Sequence, residues 1–222
     1  MIYYLFTFIA LIITVAAEIL VQSRYAKFKK VKTENKMSGF EVARKILDDN
    51  GLSEIYIVET KGTLTDHYDP NSKVIRLSHD IYHGETVSAM AVAAHECGHA
   101  IQYKEGNKFI KIRSFIFPVV RFCSYASYFV ILISLLVGML DLLYLGIGML
   151  IVILLFQLLT LPVEFDASSK ALKEIERLSL SRSDEKEGAK KVLTAAALTY
   201  VASLATAILE ILRLLLIASD RD

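Results

Sequence analysis

Two stretches without a charged residue, Phe122 to Leu140 and Leu142 to Val163, are separated by a single aspartate, Asp141. Each is long enough to cross the hydrocarbon core of a bilayer, and in lipid a chain satisfies its backbone N–H and C=O groups only as a helix or a closed barrel. The pair predicts a transmembrane helical hairpin with a very short turn at Asp141. Met1 to Ala17 is also uncharged and continues past Glu18 into Ile19 to Val21. No Lys or Arg precedes it, and the cluster Arg24, Lys27, Lys29, Lys30, Lys32 and Lys36 follows. That is the charge order of an uncleaved anchor, not of a signal peptide cut after Val15-Ala16-Ala17. A last apolar run, Val192 to Leu209, is rich in Ala, Thr and Ser and suits close packing in a membrane bundle. With 54% hydrophobic residues in 222 and a mean hydropathy of +0.45, the chain is too apolar for an ordinary soluble domain. Its net charge of +1 carries no nucleic-acid footprint.

Between the first span and the hairpin the composition is that of a water-exposed core. Phe40, Ala43, Ile46 and Leu47 recur at helical spacing, and Asn50-Gly51 closes that helix. Ile55 to Val58 and Lys73 to Ser78 read as two strands of a small sheet, joined through the turn-rich segment Asp66 to Ser72. A free strand edge there would suit an extended peptide. The following helix, starting from Ser78 or Gly84, carries His95-Glu96-Cys97-Gly98-His99. Positions i and i+4 share a helix face, so the two imidazoles can bind one Zn²⁺ while Glu96 reaches an attacking water. Ala93, Ala94, Gly98 and Ala100 let other backbones come close, so this helix is expected to be buried. Cys97 points away from the histidines and is not counted as a ligand, and with Cys123 it makes no disulfide framework.

The placement of charge then bears on the chemistry. The 25 Lys and Arg fall into two blocks, Arg24 to Arg121 and Lys170 to Lys191, with only Arg213 and Arg221 beyond them. Basic segments stay in the cytoplasm, which leaves the Asp141 turn and both termini outside. A catalytic zinc site needs a third protein ligand besides two histidines. The hairpin returns the chain to the side of the histidines at Glu164, which is the expected third ligand; Asp166 and Glu174 compete for the role. Asp166, two positions on, points elsewhere and can orient a ligand histidine. Pro162 marks the start of a polar helix over Leu161 to Leu178, or a kink, and Ser183-Asp184-Glu185 caps a further helix. His83 and Tyr200 are candidates for oxyanion stabilisation.

The expected organisation is a first span over 1–23, a metallopeptidase core over 24–114, the hairpin over 115–163, polar helices over 164–191 and a last span over 192–219. The fold class is a mainly α integral membrane protein with an α+β, gluzincin-like core, a small sheet and about four transmembrane helices.

With these residues in place, the chain resembles the glutamate-type zinc peptidases, among them the HtpX and CAAX prenyl protease branch of membrane enzymes. More closely, the ordered set GTLTDHYDP, IRLS, AVAAHECGHAIQ, LPVEFDAS and AALTYVAS is similar to the YugP-like neutral zinc metallopeptidases of prokaryotic membranes, over nearly the whole chain. The resemblance implies a multi-pass enzyme of the prokaryotic cell membrane with one Zn²⁺ per chain, held by His95, His99 and Glu164, and with Glu96 as catalytic base. In the HtpX-like branch an aspartate four residues after the glutamate supports a ligand histidine; here that position is Ser168, so the role is shared among Ser168, Asp166 and residues the sequence does not single out. The expected partners are a peptide or protein substrate, membrane proteins included, and the lipid bilayer. A non-peptidase zinc hydrolase and a membrane scaffold with a structural zinc are the alternative readings.

Overall fold

The computed structural model describes residues 2–220. Met1 of the expected anchor and Arg221, one of the two outlying basic residues, fall outside them. The chain divides into two compact units, Met1–Ile19 with Lys111–Pro162 and Leu198–Asp222, and Leu20–Ile110 with Val163–Ala197.

Four helices are long and apolar enough to cross a membrane: α1 (Ile2–Phe28), α5 (Lys108–Val137), α6 (Leu140–Arg177) and α7 (Ser183–Ser219). The first unit holds their most apolar parts. Leu143, Ile147, Ile211, Leu214 and Ala218 form its buried core, while Phe8, Leu11, Phe122, Tyr128, Leu136 and Leu155 point outward. An outer surface of this composition is stable against lipid and costly against water. Glu210 and Arg213 pair at i and i+3 on α7, and the Tyr3 hydroxyl donates to Asp220.

The turn of the hairpin differs from the sequence expectation. The break falls at Gly138 and Met139, and Asp141 lies in the first turn of α6. Gly138 takes φ 79, the left-handed conformation that glycine adopts at a helix end without steric cost, and the Ser134 hydroxyl donates to the Met139 carbonyl 2.8 Å away. Asp141 then sits where the positive end of the helix dipole favours an anion. Two of the three prolines also break nothing: Pro118 lies inside α5 and Pro162 inside α6. The polar helix expected to start or kink at Pro162 is the continuation of the apolar one. Proline has helical φ already and removes one amide, and a single lost bond is tolerated in a long packed helix.

The second unit carries the sheet, α2 (Gly39–Asp49), α3 (His79–Tyr82) and α4 (Val87–Lys104). Ser38 opens α2 with a capping box completed by Glu41. The sheet has three strands, β1 (Tyr56–Thr60), β2 (His67–Asp69) and β3 (Val74–Ser78), in the order β1-β3-β2. Both expected strands are present, and they pair in parallel, with Glu59 opposite Leu77. The additional strand, β2, comes from the segment read as turn and runs antiparallel to β3, Tyr68 facing Ile75. Only its second half turns: the Asp69 carboxylate accepts from the amides of Asn71 and Ser72, while Asp66 accepts from the amide and hydroxyl of Ser78.

Thr86 caps α4, its hydroxyl accepting from the Ala89 amide. Apart from Val92 and His95, every residue from Val87 to Gln102 is buried. Ile46, Leu47, Ile75, Leu77, Ile81, Ile175 and Leu180 belong to the same buried cluster around it. Gly98 is what lets the C-terminal part of α6 approach: a Cβ there would stand 2.5 Å from the Ala167 carbonyl oxygen. Gly98→Ala is expected to lower stability by about 1–3 kcal/mol through overpacking. Thermal unfolding in detergent checks this; a melt identical to the parent's would contradict so close a helix contact.

Candidate metal centre

Helical phase puts His95 and His99 one turn apart on one face of α4, their rings 4.7 Å apart and nearly perpendicular. Glu164, on the stretch of α6 packed against Gly98, faces both. Its Oε2 lies 3.3 Å from His95 Nε2 and 3.6 Å from His99 Nε2, and its side chain is 2% exposed. One donor atom from each of the three lies within 4.8 Å of the other two. Tetrahedral coordination with bonds of about 2.0–2.2 Å separates neighbouring ligand atoms by roughly 3.3–3.6 Å. Two imidazoles and a carboxylate at these spacings fit a zinc ion.

The nitrogens turned away from this cluster are also occupied. Ser168 Oγ lies 3.2 Å from His95 Nδ1, which puts one of the expected supporting residues against a histidine of the cluster. Gln102 is buried, with its Oε1 3.1 Å from His99 Nδ1. Its amide nitrogen donates to the Val163 carbonyl at 2.8 Å and to Asp166 Oδ2 at 2.7 Å. Both amide hydrogens being spent, Oε1 accepts, and His99 Nδ1 carries the proton. That tautomer leaves the Nε2 lone pair of His99 aimed at Glu164, ready for a metal. Asp166 thus reaches His99 through Gln102. Sequence reasoning missed Gln102; the available signal was its i+3 spacing from His99, which puts it on the same face of α4.

Glu96 is buried beside the cluster. Loss of hydration pushes its carboxyl up to about 7, His95 and the Tyr68 backbone amide opposing and the charges of Glu164 and Asp66 adding. A carboxyl group at that level can take a proton and give it back near neutral pH. Cys97 points the other way, its thiol 3.6 Å from the Ala43 carbonyl, and burial holds it far above the usual thiol range. Glu174 is engaged by Asn50 and Arg177, away from the histidines. His83 bonds Glu59 at the surface, and Tyr200 lies on α7 in the other unit.

Fold and site together define a class: a helical membrane protein that presents two imidazoles, a buried carboxylate and a second, protonatable carboxyl around one point. A family model described as "Putative neutral zinc metallopeptidase" matches residues 3–219. The chain belongs to that family of zinc metallopeptidases. It is 43% identical over 217 residues to a protein of Bacillus subtilis (strain 168) described as "Putative membrane protease YugP", covering 98% of this chain and 96% of that one. No solved structure matches the chain.

Gln102→Ala removes the group bonded to His99 Nδ1 while leaving the two imidazoles and Glu164 in place. Zinc affinity is expected to fall about 10- to 100-fold. Competition with a chelator, on protein that still unfolds cooperatively, measures the loss; unchanged affinity would remove Gln102 from the support of the site.

Proposed function

We propose that this protein is a membrane-bound zinc endopeptidase in which His95, His99 and Glu164 hold one Zn²⁺ and Glu96 is the general base. The observation that carries the reading is the spacing of the three donor atoms, with Glu96 adjacent on the same helix. Zinc bound there supplies Lewis acidity, polarising the scissile carbonyl and lowering the pKa of water from about 15.7 toward about 7.

The remaining chemistry belongs to the chain's own residues. A Glu96 carboxylate oxygen accepts a proton from the attacking water and delivers it to the leaving amine nitrogen as the peptide C–N bond breaks. Ser168 and Gln102 keep the imidazoles from rotating. Strand β2 is a sheet edge, and the Tyr68 amide bonds Glu96. An extended substrate main chain can pair along that edge and pass the base, without any need for a particular side chain.

Glu96→Gln keeps the shape of the side chain and removes the proton acceptor. It is expected to retain zinc and to lose about 10²- to 10⁴-fold in cleavage, while Glu164→Gln loses zinc as well. Metal content and cleavage of a protein substrate, measured on the same preparations, decide. Full activity in Glu96→Gln would overturn the assignment of the base, and chelator-sensitive turnover of a non-peptide ester without proteolysis would point to a different zinc hydrolase.

The distribution of Lys and Arg supports a cytoplasmic catalytic core, with the hairpin turn and both termini outside. Cys97 and Cys123 are buried, so a single added thiol can report the side. Met139→Cys is expected to react with an impermeant maleimide on intact cells. Labelling only after the membrane is opened would reverse the topology.

A further inference from the structure

A second cluster of metal-ligating side chains lies at the surface of the sheet-bearing unit, made of residues that the peptidase reading leaves unused. His79 opens α3 and His83 follows its last turn, so the i and i+4 relation again puts two imidazoles on one side. Because β1 and β3 pair in parallel with Glu59 opposite Leu77, Glu59 ends up beside the point where β3 runs into α3. The contacts follow: Glu59 Oε1 lies 2.7 Å from His79 Nδ1, and Oε2 lies 3.0 Å from His83 Nε2. The imidazole rings are 4.9 Å apart, and one donor atom from each residue lies within 4.8 Å of the others.

We propose that Glu59, His79 and His83 form a second, surface site for a divalent transition-metal ion, Zn²⁺ being the physiological candidate. Two nitrogens and one carboxylate suit zinc and its neighbours, not Ca²⁺ or Mg²⁺, which take oxygen. The side chains are 71%, 56% and 43% exposed for His79, His83 and Glu59, so a hydrated ion reaches them and keeps water in its remaining positions. The ion ties strand β1 to the short segment, His83 to Thr86, that leads directly into the capped start of α4. It therefore acts on the helix that carries the buried cluster while sharing no ligand with it. Openness to water makes it the weaker of the two sites.

The test is zinc bound per chain against free zinc, by equilibrium dialysis of the full-length protein in detergent, carried on an affinity tag without histidines. Two classes are expected, one tight and one weak. His79→Ala with His83→Ala should abolish the weak class and keep the tight one; His95→Ala with His99→Ala should do the reverse. Glu59→Gln, which leaves both imidazoles in place, should weaken the second class alone and covers the case in which the double variant fails to fold. A result in which neither the His79, His83 double variant nor Glu59→Gln removes or weakens any class of zinc bound by the parent overturns the proposal and leaves the three residues as an ordinary pair of carboxylate–imidazole contacts. A weak class that vanishes as expected in a parent without a tight class would refute the buried site and leave this one standing.

Discussion

The closeness of two helix backbones governs the rest of the catalytic unit, because the Ala167 carbonyl occupies the space a side chain at position 98 would need. Ala94, one turn before Gly98 on α4, and Ala171, one turn after Ala167 on α6, are fully buried and continue the same narrow seam. Helices this close have no room for long side chains between them, so the few polar groups at the seam meet directly. Glu164 consequently reaches both imidazoles from a neighbouring helix, and Gln102 reaches back to Val163 and Asp166. A looser seam would admit water and let each of these groups find a partner of its own.

Such a seam carries an electrostatic demand. Moving a carboxylate out of water costs several kcal/mol even after relaxation, and Glu96 and Glu164 are both buried within one small volume. Glu96 relieves part of the demand by holding a proton more readily than an exposed glutamate does. Glu164 faces two nitrogens whose outward partners, Ser168 and Gln102, fix how the rings are turned. An ion with two positive charges is the natural complement of that arrangement, and the family to which the chain belongs takes zinc.

The parts of this architecture that follow from residue periodicity and charge were legible in the sequence. Uncharged runs announced the four long helices, and the pairing of His95 with His99 required only helical geometry. That Glu164 returns to their side followed from the lysines. Charge marks the hairpin turn at Asp141 in the sequence, whereas the backbone turns at Gly138, where left-handed φ is free of penalty. Strand β2 was hidden because Asp66, Asp69, Pro70 and Asn71 dominate the appearance of a segment in which only three residues pair. The continuity of α6 through Pro162 depends on packing around the helix, which no local pattern reports. Gln102 was invisible for a similar reason: glutamine is an unremarked helix residue until the helix facing it supplies a carbonyl and a carboxylate.

Cys97 illustrates what the phase of one helix decides. Sulfur is a better ligand for zinc than imidazole or carboxylate, and this thiol sits between Glu96 and Gly98, within the very motif that gathers the other donors. Rotation by about 100° per residue carries it to the opposite side, against the Ala43 carbonyl, where burial also keeps it protonated. The helix thereby excludes the strongest competitor for the ion through direction alone. A register shift of two residues would put Cys97 where His95 stands and Ile101 where His99 stands, so the identity of the centre rests on angular position as much as on composition.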